Sequence, residues 1–312
     1  MTAKARYHDF CLAAPDVPLF ARPWYLDACA EGGAWDVVLA ELKGQVVAAL
    51  PFFYKQKGPF RYATMPPLMK WLGPYLLPEF RGQLPQEHEL LQELLAQLPP
   101  LAAFKQNFHP GLTNWLPFYW QQFRQTTYYT YRLHGLLDLA RVEGDLGTGI
   151  RRDIRLARPQ LRVMHELPLA ELYRVNLLSF ARQGLPAPYS LAQLARLDAA
   201  LQAAGAGQRF FAVDAANRVH SVAYLAWDAT TAYLLLAGDD PALRASGAGV
   251  LLAWEVVRYA SEVLGLDSFD FLGSMLPGVE RMRVRFGAVQ VPYFFIWKNY
   301  SRLFGLLEKL KT

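Results

Sequence analysis

Arg244-Ala-Ser-Gly247-Ala-Gly249 stands between an apolar run ending at Ala237-Gly238 and an apolar-periodic run from Val250 to Val263. The order reads as a strand, an anion-binding turn and a helix. Small residues let the backbone close on an anion with no Cβ in the way. The following helix then turns its free N–H groups and the positive end of its dipole toward that anion. Arg244 adds a side-chain clamp. A glycine pattern of this length is weak by itself, and the flanking strand and helix give it weight. Leu236, Ala237, Gly238, Arg244, Ser246, Gly247, Ala248, Gly249 and Val250 are the candidate donor-binding residues. A glycine-rich turn without a ligand is the plainer alternative.

Working outward, Ser190 caps a helix with Leu191, Leu194, Leu197 and Leu201 on one face. Arg209–Asp214 and Val219–Trp227 form a hairpin, and Thr231–Ala237 is the strand before the loop. The helix after the loop turns Trp254, Val257, Ala260 and Val263 inward. Ser268–Leu272 is a strand, Gly278–Arg285 a short helix and Val291–Trp297 a closing strand. The first half repeats this order. Trp35–Glu41 and Gln45–Tyr54 form a hairpin, and Lys55–Pro85 is loop-rich. Glu87–Leu98 is a helix, Ala102–Phe108 a strand, Asn114–Gln122 a short helix and Thr126–Leu133 a strand. A repeat of more than about a hundred residues implies a duplicated domain rather than a solenoid. The first copy lacks the Arg-x-x-Gly-x-Gly loop.

Between the copies, Gly149–Pro159 is helical, with Ile150, Ile154 and Leu161 on one face and Arg151, Arg155 and Arg158 on the other. The arginines are either an anion-facing strip or a solvated face. At 312 residues, 53% hydrophobic and with a net charge of +5, the chain implies two domains of ordinary size. The charge suits an anionic ligand but is too mild to argue for nucleic acid. Two cysteines exclude a disulfide framework, and scattered histidines give no metal-ligand spacing. No signal peptide or transmembrane run is read from the sequence, so the expectation is a cytoplasmic protein without metal and without a DNA partner.

The duplicated plan with a basic helix between the copies resembles the FemAB-like branch of the GCN5-related N-acetyltransferase superfamily. Phe269-Asp-Phe-Leu-Gly-Ser274 and Gly278-Val-Glu-Arg-Met-Arg-Val-Arg-Phe286-Gly287 are similar to that branch's ending. Asn107-Phe-His109, Thr113–Trp120 and Phe123-Arg-Gln-Thr-Thr-Tyr are similar to a bacterial subgroup of it. The resemblance implies an α/β fold of two tandem GCN5-like N-acetyltransferase domains with mixed, mainly antiparallel central sheets. Residues 1–140 form the first domain, on the acceptor side, and 141–312 the second, with the donor loop. It also implies an N-acyltransferase that moves an acyl group from acyl-CoA, acetyl-CoA first, to an amine held between the domains. That acceptor is a small molecule or a cell-envelope precursor. Fem enzymes of the branch use aminoacyl-tRNA instead, which is the alternative donor. A ligand-binding or scaffold protein without catalysis is the third reading.

Acyl transfer to an amine needs donors for the carbonyl oxygen and a group to take a proton. Asp270, alternating with Phe269 and Phe271, is a candidate base or amine anchor; Glu280 and His109 are the others. Trp115 and Tyr119, beside Phe118 and Trp120, offer an acceptor platform. Arg283 and Ser274 are the remaining substrate-binding candidates. Asp239-Asp240 is the awkward feature, because carboxylates lining the loop would oppose a phosphate there.

Overall fold

The structure, a computed structural model, describes residues 1–310. Its strands, in chain order, are β1 (Ala34–Leu42), β2 (Gln45–Lys57), β3 (Phe60–Thr64), β4 (Tyr75–Leu76), β5 (Ala103–Asn107) and β6 (Arg124–His134), then β7 (Leu161–Met164), β8 (Gly207–Asp214), β9 (Val219–Trp227), β10 (Thr231–Asp239), β11 (Ser268–Asp270) and β12 (Val289–Asn299). The chain falls into two compact units, one of Met1–Tyr128 with the segment from Pro292 onward, the other of Tyr129–Val291.

In the first unit the strands follow the order β1-β2-β3-β5-β12, with β4 paired to β2. Among its described strands, only β3 and β5 run parallel. The stretch read as loop-rich, Lys55–Pro85, contains β3 and β4. The high aromatic content is core here: Phe20 meets Trp71 edge-on at 5.5 Å, and Phe108 meets Phe118 at 4.9 Å.

In the second unit the order is β6-β11-β10-β9-β8-β7, antiparallel except between β10 and β11. Ser190 and Gln193 close a full capping box on the helix Leu191–Ala203. The helix after the glycine loop, Ala248–Glu262, buries Trp254, Val257 and Ala260 among Phe210, Leu225, Phe269 and Phe286. Val263 does not join them: it is 62% exposed, because the helix has ended and the chain turns at Gly265. Leu161 is not on the arginine helix either. That helix is Thr148–Ala157, and Leu161 opens β7.

The closing strands are exchanged. Arg132–His134 of β6, which closes the first repeat in sequence, pair with β11 in the second unit. Residues 295–299 of β12, which close the second repeat, pair with β5 in the first. The compact units therefore differ from a cut at 140/141: the first regains the C-terminal strand and gives up the second half of β6.

Candidate donor slot in the second unit

The site is built on β10. Its parallel pairing with β11 covers only Thr231–Tyr233 against Ser268–Asp270, and then β11 ends. On its other side the β9 ladder shifts register between Leu234 and Leu236, so Leu235 is a bulge. Leu234 to Gly238 thus runs on past the end of β11, and Ala237 is exposed within a strand. Such a gap leaves backbone donors for a carbonyl oxygen in place of a ladder.

A helix that periodicity did not single out, Leu169–Ala181, lies against this strand. A Cβ on Gly238 would stand 2.7 Å from Asn176 Cα, so only glycine permits the approach. Asn176, 2% exposed, donates from Nδ2 to Ala237 O (2.8 Å) and accepts from Tyr189 Oη. Burial raises the Tyr189 phenol well above its usual range, so it stays a donor. Ser179 Oγ accepts from Asp239 N (3.2 Å). The signal for this helix was Leu172, Val175 and Asn176 at spacings of three and four.

Gly247 adopts φ 74° and forms the N-cap of the loop helix, a conformation that suits glycine. Gly247 lies against the arginine helix, where an added Cβ would be 3.5 Å from both Ala157 Cβ and Asp153 O. Arg244 is exposed. The loop is also stitched from within. Ser246 Oγ accepts from Ala248 N (3.3 Å) and lies 2.9 Å from His220 Nδ1, whose Nε2 is 3.0 Å from Asp214 Oδ2. The bond to His220, with help from Arg218, holds the Asp214 carboxyl well below its usual range. Sequence reading did not find Asp214 or His220, since they sit on β8 and β9, far from the loop in the chain.

Asp239 lines the loop. A Cβ on Gly249 would overlap its Oδ1 and lie 2.9 Å from its Oδ2, while Oδ1 also accepts from Ser221 Oγ (2.8 Å). A carboxylate therefore already occupies ground beside the first helical turn, where it satisfies the dipole. This fits a donor pyrophosphate poorly.

Beyond β11 the chain is held tightly. Asp270, 0% exposed, accepts from Thr130 Oγ1 (2.5 Å), Arg132 Nε (2.6 Å) and Leu272 N (2.8 Å). With both oxygens occupied it holds this segment in place. Leu272 is at φ 50°, and Gly273 N donates to Thr130 Oγ1 (2.9 Å). A Cβ on Gly273 would overlap Tyr129 O. Arg283 is buried with its guanidinium 5.1 Å from the Phe271 ring centroid and bonded to Phe271 O, and its Nε has no hydrogen-bond partner among the described residues. Burial, opposed by Asp270, lowers it to about 10. Glu280 is half-buried in the first turn of the helix Pro277–Arg285, and Ser274 Oγ accepts from Leu276 N (3.1 Å).

The other candidates belong to the first unit. His109 Nδ1 accepts from Gly111 N (3.1 Å), and its ring lies 5.6 Å from Trp71. Trp115 meets the exposed Tyr119 edge-on at 5.5 Å. The arginine helix, back in the second unit, lines a cleft of about 710 Å³ with Arg151, Arg152, Arg155 and Arg158. Arg158 pairs with Glu255 (2.9 Å) and Arg151 donates to Gly144 O (3.1 Å). Arg155 has no ion-pair partner among the described residues.

A bulged strand parting from its parallel neighbour, with a glycine loop and helix behind it, defines an acyltransferase fold. Residues 144–281 match the family model of an acetyltransferase (GNAT) domain. No curated protein matches the sequence. Its fold is similar to that of FemX, with a TM-score of 0.68 and 12% identity over 93% of this chain and 95% of that one. A tandem GNAT protein from the clavulanic acid biosynthesis pathway gives 0.54 and 13%, over 95% and 94%. The C-terminal domain of a candidate lysylphosphatidylglycerol synthetase from Agrobacterium fabrum gives 0.53 and 16%, over 85% and 84%.

Proposed function

We propose that the protein transfers an acyl group onto an amine by direct attack, and that the donor is an aminoacyl-tRNA rather than an acyl-CoA. The observation that carries the choice is the carboxylate of Asp239 against the loop helix at Gly249. It repels a pyrophosphate there, and Ser246 already takes the Ala248 N–H that such a group would use. An RNA-borne acyl group needs no phosphate in the loop. Its phosphates lie instead along Arg151, Arg152, Arg155 and Arg158, on the helix that touches Gly247. In the slot the amine nitrogen attacks the ester carbonyl, the C–N bond forms, and the bond to the ribose oxygen breaks. The amine's proton passes to that oxygen, with Glu280 the group we assign to carry it. Asp270, Arg132 and Thr130 hold the slot's wall, and Arg283 takes an anionic part of the acceptor. The FemX-like fold supports an acceptor amine on an envelope precursor.

Acyl-CoA is the second reading, favoured by the left-handed Gly247 and the exposed Arg244. Filter binding of charged tRNA, beside calorimetry with acetyl-CoA and desulfo-CoA, separates the two. Salt-sensitive tRNA binding without CoA binding is expected. Micromolar CoA binding that Gly247→Glu abolishes, without tRNA binding, would reverse the assignment. Binding of neither would favour a role without catalysis.

A further inference from the structure

The helix Arg302–Lys309 of the first unit buries one side chain deeply. Phe304 is 2% exposed and sets its ring 5.5 Å from Phe60 and 4.9 Å from Tyr62 of β3. Ser301 Oγ caps the helix by accepting from Phe304 N (3.2 Å). The leucines face the other way. Leu303 is 59% exposed, Leu306 60% and Leu310 84%, with Leu307 beside them at 37%. Positions separated by three, four and seven share one helix face, so these four side chains form one continuous apolar ridge.

The rim of the ridge is basic. Glu308, the acid of this helix, is held by both oxygens on Lys105 Nζ (2.7 and 2.8 Å). Lys57 stands opposite Phe60 in the β2–β3 register and Lys55 opposite Tyr62, so both lysines share the sheet face that carries the helix. Trp297 stands opposite Lys105 on the same face, with the Arg124 guanidinium 5.2 Å from its ring. Arg302 is exposed at the start of the helix.

We propose that this ridge and rim lay the protein on an anionic lipid bilayer, leucines in the headgroup boundary and lysines and arginines on the headgroups. An exposed leucine face bordered by cations and an aromatic ring is the make-up of an interfacial helix. Charge complementarity selects the occupant. A second copy docked on the same ridge brings its own basic rim against the first, whereas an anionic surface supplies the opposite charge. The inference is independent of the donor.

The test is co-sedimentation of the full chain with vesicles of phosphatidylcholine alone or mixed with phosphatidylglycerol, at low and high salt. Binding is expected on the mixed vesicles, at least about tenfold weaker on the neutral ones and weakened by salt. Leu306→Glu with Leu310→Glu should cut it at least about tenfold without moving the melting temperature, because both sites are exposed. Lys55→Gln with Lys57→Gln should remove the anionic preference while some binding persists. Failure to bind mixed vesicles, or binding untouched by the leucine variant, overturns the proposal. So does light scattering that shows a dimer which the leucine variant dissociates while vesicles go unbound.

Discussion

Asp239→Asn is the substitution that tests the donor argument. A phosphate held on Gly249 N–H would carry its charge about 5 Å from the Asp239 carboxylate, given ordinary hydrogen-bond lengths. Over that separation, with an effective dielectric between about 20 and 80, the repulsion is about 1–3 kcal/mol. Removing the charge should therefore tighten CoA binding roughly 5- to 150-fold. Asn keeps an oxygen for Ser221 Oγ, so the hydrogen bond survives. The loop helix loses an anion at its N-terminus, worth about 0.3–1 kcal/mol, so the melting temperature should drop by only a few degrees. The assay is calorimetric titration of wild type and variant with acetyl-CoA, with charged-tRNA binding as the control that should stay constant. If wild type binds acetyl-CoA at low micromolar concentration and the variant binds no tighter, the carboxylate lies outside the phosphate's field. The case for an RNA-borne donor then fails.

Gly273→Ala should destabilise the second unit by about 3 kcal/mol or more. The new Cβ overlaps Tyr129 O, and relieving it strains the bonds at Phe271 N, Leu272 N and Gly273 N. A calorimetric melt should show a fall of about 6 °C or more, and a wild-type melt would refute the packing. Replacing Arg151, Arg155 and Arg158 by Gln should reduce the slope of log affinity for tRNA against log salt by about 2–3, and an unchanged slope places the RNA elsewhere. The Asp214 carboxyl is depressed in the folded state, so its stabilising contribution is complete above the ordinary carboxylate range and fades as pH falls toward the folded value. Melting temperatures between about pH 2 and 7 should therefore fall more steeply on the acid side for wild type than for Asp214→Asn. Parallel curves would contradict the His220 and Arg218 contacts.

The sequence by itself determined the elements around β10 and the repeated order, because these rest on local periodicity, caps and turn residues. Ser190 with Gln193, the glycine loop and the apolar face of the helix behind it are all read within a few residues of chain. It also named Asp239-Asp240 as the awkward pair, but not which carboxylate lines the loop. What only tertiary structure decided depends on partners distant in sequence. Asp270 alternates with two phenylalanines as a cleft residue would, yet Thr130 and Arg132 reach it through β6, 140 and 138 positions away, and occupy both its oxygens. His220 and Asp214 bind the loop from another hairpin, and Asn176 reaches Ala237 from a helix with no motif. The exchange of β6 and β12 is the widest case. Both closing strands carry the same β-forming pattern, so alternation identifies each as a strand, while the neighbour each one joins is set by long-range hydrogen bonding and packing.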